Sequence, residues 1–211
     1  MEDDVTTAAL VAWVRSFADL VAVNRDYLTQ LDSAIGDADH GSNMDRGMRA
    51  AVAAVEEAAP ATAGALFKKV GMTLVSTVGG ASGPLFGTFF LRMGTSFGEA
   101  EVVSPKDFAA ALHAGLDGVV QRGKAEPGDK TMYDALAPAV SALEQALDES
   151  LPLPEALAKA HAAAAAGRDA TIPLLARKGR ASYLGERSVG HQDPGATTVA
   201  LLLEAAAGTA T

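Results

Sequence analysis

The 211-residue sequence predicts an all-α protein, and three observations carry this prediction. Apolar residues between Val5 and Leu28 recur three, four or seven positions apart, as on the buried face of a helix. Two alanine-rich stretches, 50–59 and 156–166, favour helix because alanine loses no side-chain entropy there. Runs of alternating β-branched residues separated by hairpin turns are missing. With 49% apolar residues, the chain can form a packed core, and we expect one domain over residues 1–211.

The order of the elements follows from helix start and stop signals. Eight helices are predicted, at roughly residues 4–29, 43–58, 63–78, 84–98, 105–122, 131–149, 154–176 and 194–208. Ser104 and Thr131 each offer an N-cap hydroxyl three residues before a carboxylate. Three prolines suit a first helical turn, where the missing N–H is not needed: Pro84, Pro154 and Pro194. Pro138 and Pro173 fall inside predicted helices, so we expect a kink or a break at each.

The charge balance and the absence of cysteine narrow the function classes. The net charge is −9 and the pI about 4.8, which argues against a nucleic-acid partner or an anionic membrane surface. Without cysteine, disulfides, thiolate nucleophiles and cysteine-ligated zinc are excluded. The N-terminus is acidic where a signal peptide is basic, and no apolar run approaches the ~20 residues of a membrane span. We therefore expect a cytoplasmic protein without a membrane segment.

Four connections between the predicted helices are rich in glycine, aspartate and basic residues. They cover residues 32–43, 79–83, 123–130 and 178–195. Antiparallel helices alternate in direction, and these connections follow the first, third, fifth and seventh helix. We therefore expect them to meet at one end of the bundle, where a rigid helical scaffold would present its chemistry.

The first of these connections places three carboxylates within eight residues: Asp32, Asp37 and Asp39. Like charges this close repel each other, and a bound cation would offset the repulsion. Mg²⁺ takes oxygen ligands and usually joins one or a few carboxylates to substrate phosphates. The spacing therefore indicates a magnesium site that holds a phosphorylated ligand.

Other interpretations of this segment differ in their support. An EF-hand is excluded, because a loop that starts at Asp37 would place Met48 where the bidentate glutamate is required. A zinc hydrolase that uses His40 or His191 stays open, although no paired-histidine motif supports it. An exposed acidic turn also stays open, since aspartate is common in turns. The sequence assigns no role to His191.

Two further kinds of segment suit a phosphate. Residues 40–43 and 79–84 lead into helices through small or polar residues, so that backbone N–H groups and a helix N-terminus can approach an anion. Neither matches a P-loop, and close helix packing would also explain the glycines. Residues 177–187 contain four cations, and guanidinium groups bind phosphate through a planar fork. A solvated basic loop is the alternative. Asp193 is expected to cap the last helix.

Four long stretches carry specific motifs in order along the chain. They are residues 31–47 (LDSAIGDADHGSNMDRG), 71–90 (GMTLVSTVGGASGPLFGTFF), 122–132 (RGKAEPGDKTM) and 176–197 (ARKGRASYLGERSVGHQDPGAT). Together they resemble the ADP-binding (L) subunits of bacterial dihydroxyacetone kinases. Several long motifs in register are far more specific than one short pattern.

This resemblance implies an antiparallel eight-helix barrel with the nucleotide site at one end. It also implies two Mg²⁺ ions that join Asp32, Asp37 and Asp39 to the phosphates of ADP or ATP, with these carboxylates and Arg180 as catalytic groups. The nucleotide contacts expected from the matching positions are His40, Gly41, Ser42, Asn43, Ala81, Ser82, Gly123, Met132, Arg180, Asp193, Pro194 and Gly195.

The resemblance further implies that the nucleotide is a retained cofactor of a phosphoenolpyruvate-dependent system. A phosphohistidine on an M subunit would phosphorylate the bound ADP, and the ATP formed would phosphorylate dihydroxyacetone held on a K subunit. Two alternatives share the same ligands. One is a subunit of an ATP-dependent kinase that exchanges nucleotide in each turnover and acts on dihydroxyacetone or another short ketose such as erythrulose. The other, of a different class, is a nucleotide-sensing interaction protein without catalysis.

Overall fold

The computed structural model describes residues 4–209, and most of them are helical. Within that range the helices are α1 (Thr7–Val23), α2 (Arg25–Ile35), α3 (His40–Ala58), α4 (Ala63–Thr77), α5 (Ser82–Phe97), α6 (Pro105–Gly123), α7 (Tyr133–Asp148), α8 (Leu153–Ala170), a 3₁₀ helix (Arg180–Ser188) and α9 (Pro194–Thr209). Two short strands, β1 (Val5–Thr6) and β2 (Val102–Val103), pair antiparallel. The predicted all-α class is confirmed.

Eight of these helices form a closed ring. Helix α1 packs on α3, each helix from α3 to α8 packs on the next one along the chain, and α9 packs back on α1. Helix α2 lies beside this ring, against α3, α9 and the 3₁₀ helix. The ring is the predicted eight-helix barrel. No single helix in residues 4–209 is long and apolar enough to cross a membrane, and only the pair α1 and α2, bent by 63°, passes that test by length and composition.

Aromatic side chains fill the centre of the ring. Trp13 lies between Phe67 and Phe108, with ring centroids 5.6 and 5.4 Å apart, and Phe67 also packs on Phe90 and Phe97. The Trp13 indole N–H donates to the carbonyl of Leu202 at 2.9 Å, so the polar atom of the largest core residue is satisfied. This contact ties α1 to α9 and closes the ring at its seam.

Helices α4 and α5 approach each other closely through glycines. A Cβ at Gly71 would lie 2.7 Å from the carbonyl oxygen of Gly87 and 2.7 Å from Cγ of Leu91, which is closer than real Cβ contacts. Gly64 and Gly94 pack in the same way one heptad along their helices. The close packing sets the position of the α5 N-terminus, which lies in the second of the four predicted connections.

The structure corrects the boundaries of the first predicted helix. Instead of one helix at 4–29, α1 ends at Val23, with Asn24 as its C-cap, and α2 runs from Arg25 to Ile35 at a 63° angle to α1. The Asn24 side chain donates to the Leu20 carbonyl at 2.9 Å, which satisfies part of the C-terminal end of α1 locally. Asp32, predicted to lie in a loop, is therefore in the last turn of a helix.

Two proline predictions have different outcomes. Helix α8 ends at Ala170 rather than near 176, so Pro173 lies beyond it. Helix α7 instead continues through Pro138 without interruption, so a break there is excluded and a kink stays a prediction. The carbonyl of Asp134, which cannot accept a bond from Pro138, lies against Gly167, where any Cβ would overlap it. The glycine on the neighbouring helix α8 thus leaves room for this carbonyl.

The capping predictions hold in part. The Ser104 hydroxyl oxygen accepts from the N–H of Asp107 at 3.1 Å and donates to that residue's carboxylate at 2.7 Å, so the α6 cap is confirmed. Helix α7 begins two residues later than predicted, at Tyr133. Thr131 still contacts the first turn of α7, because its backbone N–H donates to the Asp134 carboxylate at 2.8 Å.

Candidate nucleotide and metal site

The four predicted connections meet at one end of the barrel, around a cavity of about 290 Å³. Each connection contributes to the lining, together with apolar residues from α5 and α6. The expectation that they share one end of the bundle is confirmed. The lining includes residues 35–37, 79–82, 130–132, 178–181 and 193–195.

The three carboxylates of the first connection converge in this cavity. One oxygen from each of Asp32, Asp37 and Asp39 lies within 4.8 Å of the others. Asp32 is buried at 8% exposure, Asp39 is half-buried and Asp37 is exposed. Carboxylate oxygens in this arrangement fit a hard divalent cation such as Mg²⁺. The cluster opens toward the cavity, so a bound cation could reach a ligand there.

The backbone between these carboxylates explains how they converge. The Asp32 carboxylate accepts from the N–H groups of Asp39 at 2.8 Å and His40 at 3.1 Å, which folds the segment back onto the end of α2. Gly36 permits this turn, because a Cβ there would overlap the Asp32 carboxylate. Ala38 adopts a left-handed backbone with φ of 62°. Asp32 is thus both a candidate metal ligand and the anchor of the turn.

His40 lies at the base of the cavity in a chain of hydrogen bonds. Its Nε2 is 2.8 Å from the hydroxyl oxygen of Thr198, and that hydroxyl also donates to the Pro194 carbonyl at 3.1 Å. Because the Thr198 hydrogen is directed at a carbonyl, we assign the proton of the imidazole to Nε2, which donates to Thr198. Nδ1 then accepts from the Ser82 hydroxyl at 3.0 Å.

Burial keeps this histidine neutral. Removal of the imidazole from water lowers the pKa of His40 to about 4, against the opposing effect of the carboxylates of Asp32 and Asp39. A neutral imidazole adds no positive charge at pH 7. His40 therefore connects the carboxylate segment, the start of α5 and α9 through hydrogen bonds.

Three helices begin at the cavity. The first residues of α3, α5 and α9 are His40, Ser82 and Pro194, and all three line it. The free N–H groups and the partial positive charge of a helix N-terminus favour an anion. The N–H of His40 at the α3 end and that of Ala196 at the α9 end already donate to the carboxylates of Asp32 and Asp193. The α5 end has no side-chain cap, so it is the end that best suits a phosphate.

Basic side chains lie at the mouth of the cavity. Arg180, at the start of the 3₁₀ helix, places Nη2 3.1 Å from the Asp37 carboxylate. Lys178 also lines the cavity, although the sequence did not single it out. Gly179, with φ of 64°, separates the two cations and lets the chain turn into the 3₁₀ helix.

A second group of charges lies behind the cavity. Asp193 caps α9 by accepting from the N–H of Ala196 at 2.7 Å, which confirms the predicted cap. Burial raises the pKa of Asp193 to about 7, while the Ala196 N–H lowers it. Lys130 is almost fully buried at 1% exposure, and this burial lowers its pKa while the charge of Asp193 raises it.

Most of the expected ligand residues line the cavity. They are Asp32, Asp37, Asp39, His40, Asn43, Ala81, Ser82, Gly123, Met132, Arg180, Asp193, Pro194 and Gly195. Among the described residues of the lining, Gly41, Ser42 and His191 do not appear. Gly41 packs against the backbone of α2, and the Ser42 hydroxyl donates to the Asp39 carbonyl at 2.9 Å. The role of each expected ligand stays a prediction.

Two residues at the site, Lys130 and Thr198, were not predicted from the sequence. Lys130 lies within the motif at 122–132, but nothing in a one-dimensional pattern distinguishes a buried lysine from a solvated one. Thr198 is in an apolar helix, 158 residues from its partner His40. Only the closure of the ring through α9 brings the two side chains together.

Comparison with known proteins agrees with this arrangement. Residues 34–208 match the family described as the DAK2 domain. The chain is 47% identical over 195 residues to "PEP-dependent dihydroxyacetone kinase, ADP-binding subunit DhaL" of Escherichia coli (strain K12), which covers 92% of this chain and 93% of that protein. It is 41% identical over 202 residues to "PTS-dependent dihydroxyacetone kinase, ADP-binding subunit DhaL" of Lactococcus lactis subsp. lactis (strain IL1403), with 95% and 96% covered.

A solved structure is also similar. It is the dihydroxyacetone kinase from C. freundii in complex with AMP-PNP and Mg2+, with a TM-score of 0.74 and 27% sequence identity over 97% of this chain. The similarity covers 34% of that kinase chain, so the present chain corresponds to about a third of it. These matches confirm the resemblance that the four motifs predicted. The chain belongs to the DAK2 domain family.

Proposed function

We propose that this chain is the ADP-binding subunit of a phosphoenolpyruvate-dependent dihydroxyacetone kinase. The observation that carries the proposal is the convergence of Asp32, Asp37 and Asp39, within 4.8 Å of one another, on a cavity where three helices begin. Carboxylates for a metal and helix N-termini for an anion are the two requirements of a metal-bound phosphate chain. The names of the two relatives compared above support ADP as the nucleotide.

In this proposal the side chains position the diphosphate and offset its charge, which are the main demands of phosphoryl transfer. Asp32, Asp37 and Asp39 would hold two Mg²⁺ ions, which neutralise the phosphate oxygens. The α5 N-terminus at Ala81 and Ser82 would donate backbone N–H groups to a phosphate. Arg180 would leave Asp37 and approach the transferring phosphoryl group from the mouth of the cavity. No side chain of this protein needs to become phosphorylated.

The apolar part of the cavity suits the adenine base. Leu85, Phe86 and Val119 line it, near Gly123 and Met132. A Cβ at Gly123 would lie 3.1 Å from the Leu85 side chain, so glycine keeps this region open. The phosphates and the base would therefore contact opposite regions of one cavity, polar and apolar respectively.

The partners belong to the same proposal. A phosphohistidine on an M subunit would phosphorylate the bound ADP, and a K subunit would present dihydroxyacetone to the ATP formed, with all three subunits in the cytoplasm. The names of the two relatives, which include "PEP-dependent" and "PTS-dependent", support a phosphohistidine donor. The exposed mouth of the cavity, beside Arg180, is where a donor would have to reach the nucleotide.

One observation favours a second candidate, an ATP-dependent kinase that exchanges its nucleotide. The similar C. freundii kinase was solved with an ATP analogue and is about three times as long as this chain. The higher identity to the PEP-dependent relative, 47% against 27%, favours the carrier. The two candidates differ in whether ADP stays bound between turnovers.

The test begins with protein purified without added nucleotide. After extensive dialysis and denaturation, we expect near-stoichiometric ADP and about two Mg²⁺ ions per chain. The Asp37→Asn variant should be purified without the metal. Its activity in the reconstituted kinase should fall by a factor of about 100 or more. Asp19→Asn, which removes an exposed carboxylate on α1, is the matched control and should retain both. Empty wild-type protein that turns over with free ATP would support the exchanging kinase. Full activity of Asp37→Asn would refute the metal assignment.

A further inference from the structure

The buried Lys130 holds the backbone of a distant segment. Its ammonium donates to the carbonyl of Ser188 at 2.7 Å, to that of Leu174 at 3.1 Å and, over a longer contact of 3.4 Å, to that of Ile172. An ammonium has three N–H donors, so these carbonyls account for all of them. A lysine beside a phosphate cavity is commonly interpreted as a phosphate ligand. Here the donors point instead at the protein.

The three carbonyls flank the basic segment on both sides. Ile172 and Leu174 precede residues 177–187, and Ser188 follows them. One ammonium therefore joins the two ends of the segment that carries Lys178 and Arg180.

Neighbouring hydrogen bonds close the base of this segment. The N–H of Ala176 donates to the Ser188 hydroxyl oxygen at 2.9 Å, and the N–H of Gly190 donates to the Ile172 carbonyl at 2.8 Å. The N–H of Arg177 donates to the carbonyl of Asp129, adjacent to the lysine, at 3.1 Å. The segment is thus fixed at its base, while its tip is exposed.

The environment of Lys130 is built for a cation. Its carbonyl partners carry partial negative charge, and the buried Asp193 attracts it electrostatically. The backbone of Lys130 is left-handed, with φ of 64°, a conformation that costs a non-glycine residue about 1 kcal/mol. An uncharged side chain would remove the donor to the carbonyls of Ser188 and Leu174.

We propose that Lys130 is a positioning residue that holds residues 177–187, and through them Arg180, at the mouth of the cavity. Its effect on the segment is independent of the proposed function. Only the consequence for phosphoryl transfer rests on that function. Lys130 is therefore expected to act through Arg180 and not by contact with the nucleotide.

The first experiment is hydrogen–deuterium exchange on the full chain. In Lys130→Met, exchange in residues 177–187 should rise about tenfold or more while α4 and α5 stay protected. Lys124→Met is the matched control. Lys124 lies in the same connection with a left-handed backbone, φ of 49°, but is exposed, and its substitution should leave the segment unchanged. The proposal would be overturned if residues 177–187 exchanged at the same rate in Lys130→Met as in the wild-type protein.

A second variant decides the question if Lys130→Met does not fold. Lys130→Arg keeps the charge and several donors on a longer side chain. It should raise exchange in residues 177–187 and leave exchange in the other helices unchanged. Unchanged exchange there, or a rise spread evenly over all helices, would also overturn the proposal.

The kinetic arm is a double-mutant cycle in the reconstituted kinase. Lys130→Met should lower kcat about 10- to 100-fold in the wild-type background, because a small displacement of a reacting group costs this much. In the Arg180→Gln background the same substitution should have almost no further effect. Additive losses would contradict action through Arg180. A weaker affinity for ADP with unchanged exchange would assign Lys130 as a direct ligand instead.

Discussion

Arg180 and Asp37 form an ion pair across the mouth of the cavity, with Nη2 3.1 Å from the carboxylate oxygen. Their side chains are 66% and 35% exposed, and exposed pairs of this kind contribute about 0–1 kcal/mol. Asp37 is also one of three carboxylates that can hold a metal. The pair is weak enough to be exchanged for a cation on Asp37 and a phosphate on Arg180.

Replacement of Arg180 tests this exchange. Arg180→Gln should lower kcat about 100-fold or more, because a cation directed at a transferring phosphoryl group acts mainly in the transition state. The free energy of unfolding should change by less than about 0.5 kcal/mol. Steady-state kinetics and thermal unfolding measure the two effects.

Arg187→Gln is the matched control for that substitution. Arg187 belongs to the same 3₁₀ helix and is exposed, but does not line the cavity. Its activity should stay within about twofold of wild type, since its charge lies away from the phosphates. Equal losses in the two variants would assign the effect to overall charge and not to the position of Arg180.

Thr198 is predicted to set the tautomer of His40. Thr198→Val keeps the shape of the side chain and removes the hydroxyl, so the Nε2 proton of His40 loses its acceptor in a buried site. We expect a loss of about 1–3 kcal/mol of stability and weaker ADP binding, because Ser82 loses its fixed partner. Nitrogen NMR should show a proton on Nε2 in wild type. Thr198→Ser should restore both properties, and a proton on Nδ1 in wild type would contradict the assignment.

The lowered pKa of His40 predicts a pH-dependent stability. In the unfolded chain its pKa is near the ordinary value of 6.5, and in the folded protein it is about 4. Between these values the unfolded state binds the proton and the folded state does not, so the free energy of unfolding falls as the pH drops from 6.5 to 4. The loss is about 3 kcal/mol in total. Above pH 6.5 the contribution is fully present.

The measurement compares wild type with His40→Gln, which cannot titrate there. The raised pKa of Asp193, about 7, acts in the opposite direction, because the folded state then binds a proton that the unfolded state releases. In the wild-type protein, the pH dependence of the free energy of unfolding therefore contains two contributions, from His40 and Asp193, that partly cancel. The difference between the two proteins in denaturant unfolding should shrink by about 3 kcal/mol from pH 7 to pH 4. A constant difference would show that His40 titrates normally.

The contact between α4 and α5 links the fold to the site. Gly71→Ala would force the helices apart and should destabilise the protein by about 1–3 kcal/mol. Since α5 begins at Ser82 in the cavity, ADP affinity should fall as well. Met72→Ala, at the exposed neighbouring position, should leave affinity unchanged. Denaturant unfolding and calorimetric titration with ADP measure the two effects, and unchanged ADP affinity in Gly71→Ala would separate the helix contact from the site.

The sequence predicted the features that depend on neighbouring residues. The Ser104 cap is a local arrangement, and the helical class follows from the spacing of apolar residues. The break at Asn24 was not predicted, because the apolar pattern continues across it and no proline or glycine marks it. The end of α8 before Pro173 has a local cause, because a kink or a break was expected at that proline.

The sequence by itself determined that the four connections lie at one end of the bundle. Their composition identifies them as site segments, and successive antiparallel helices alternate in direction along the chain. The tertiary structure alone decided how the connections are held. Lys130 contacts carbonyls 42 to 58 residues away, and His40 contacts Thr198 at a separation of 158. A hydrogen bond depends on a distance of about 3 Å in space, and the closure of the helix ring brings these distant residues together.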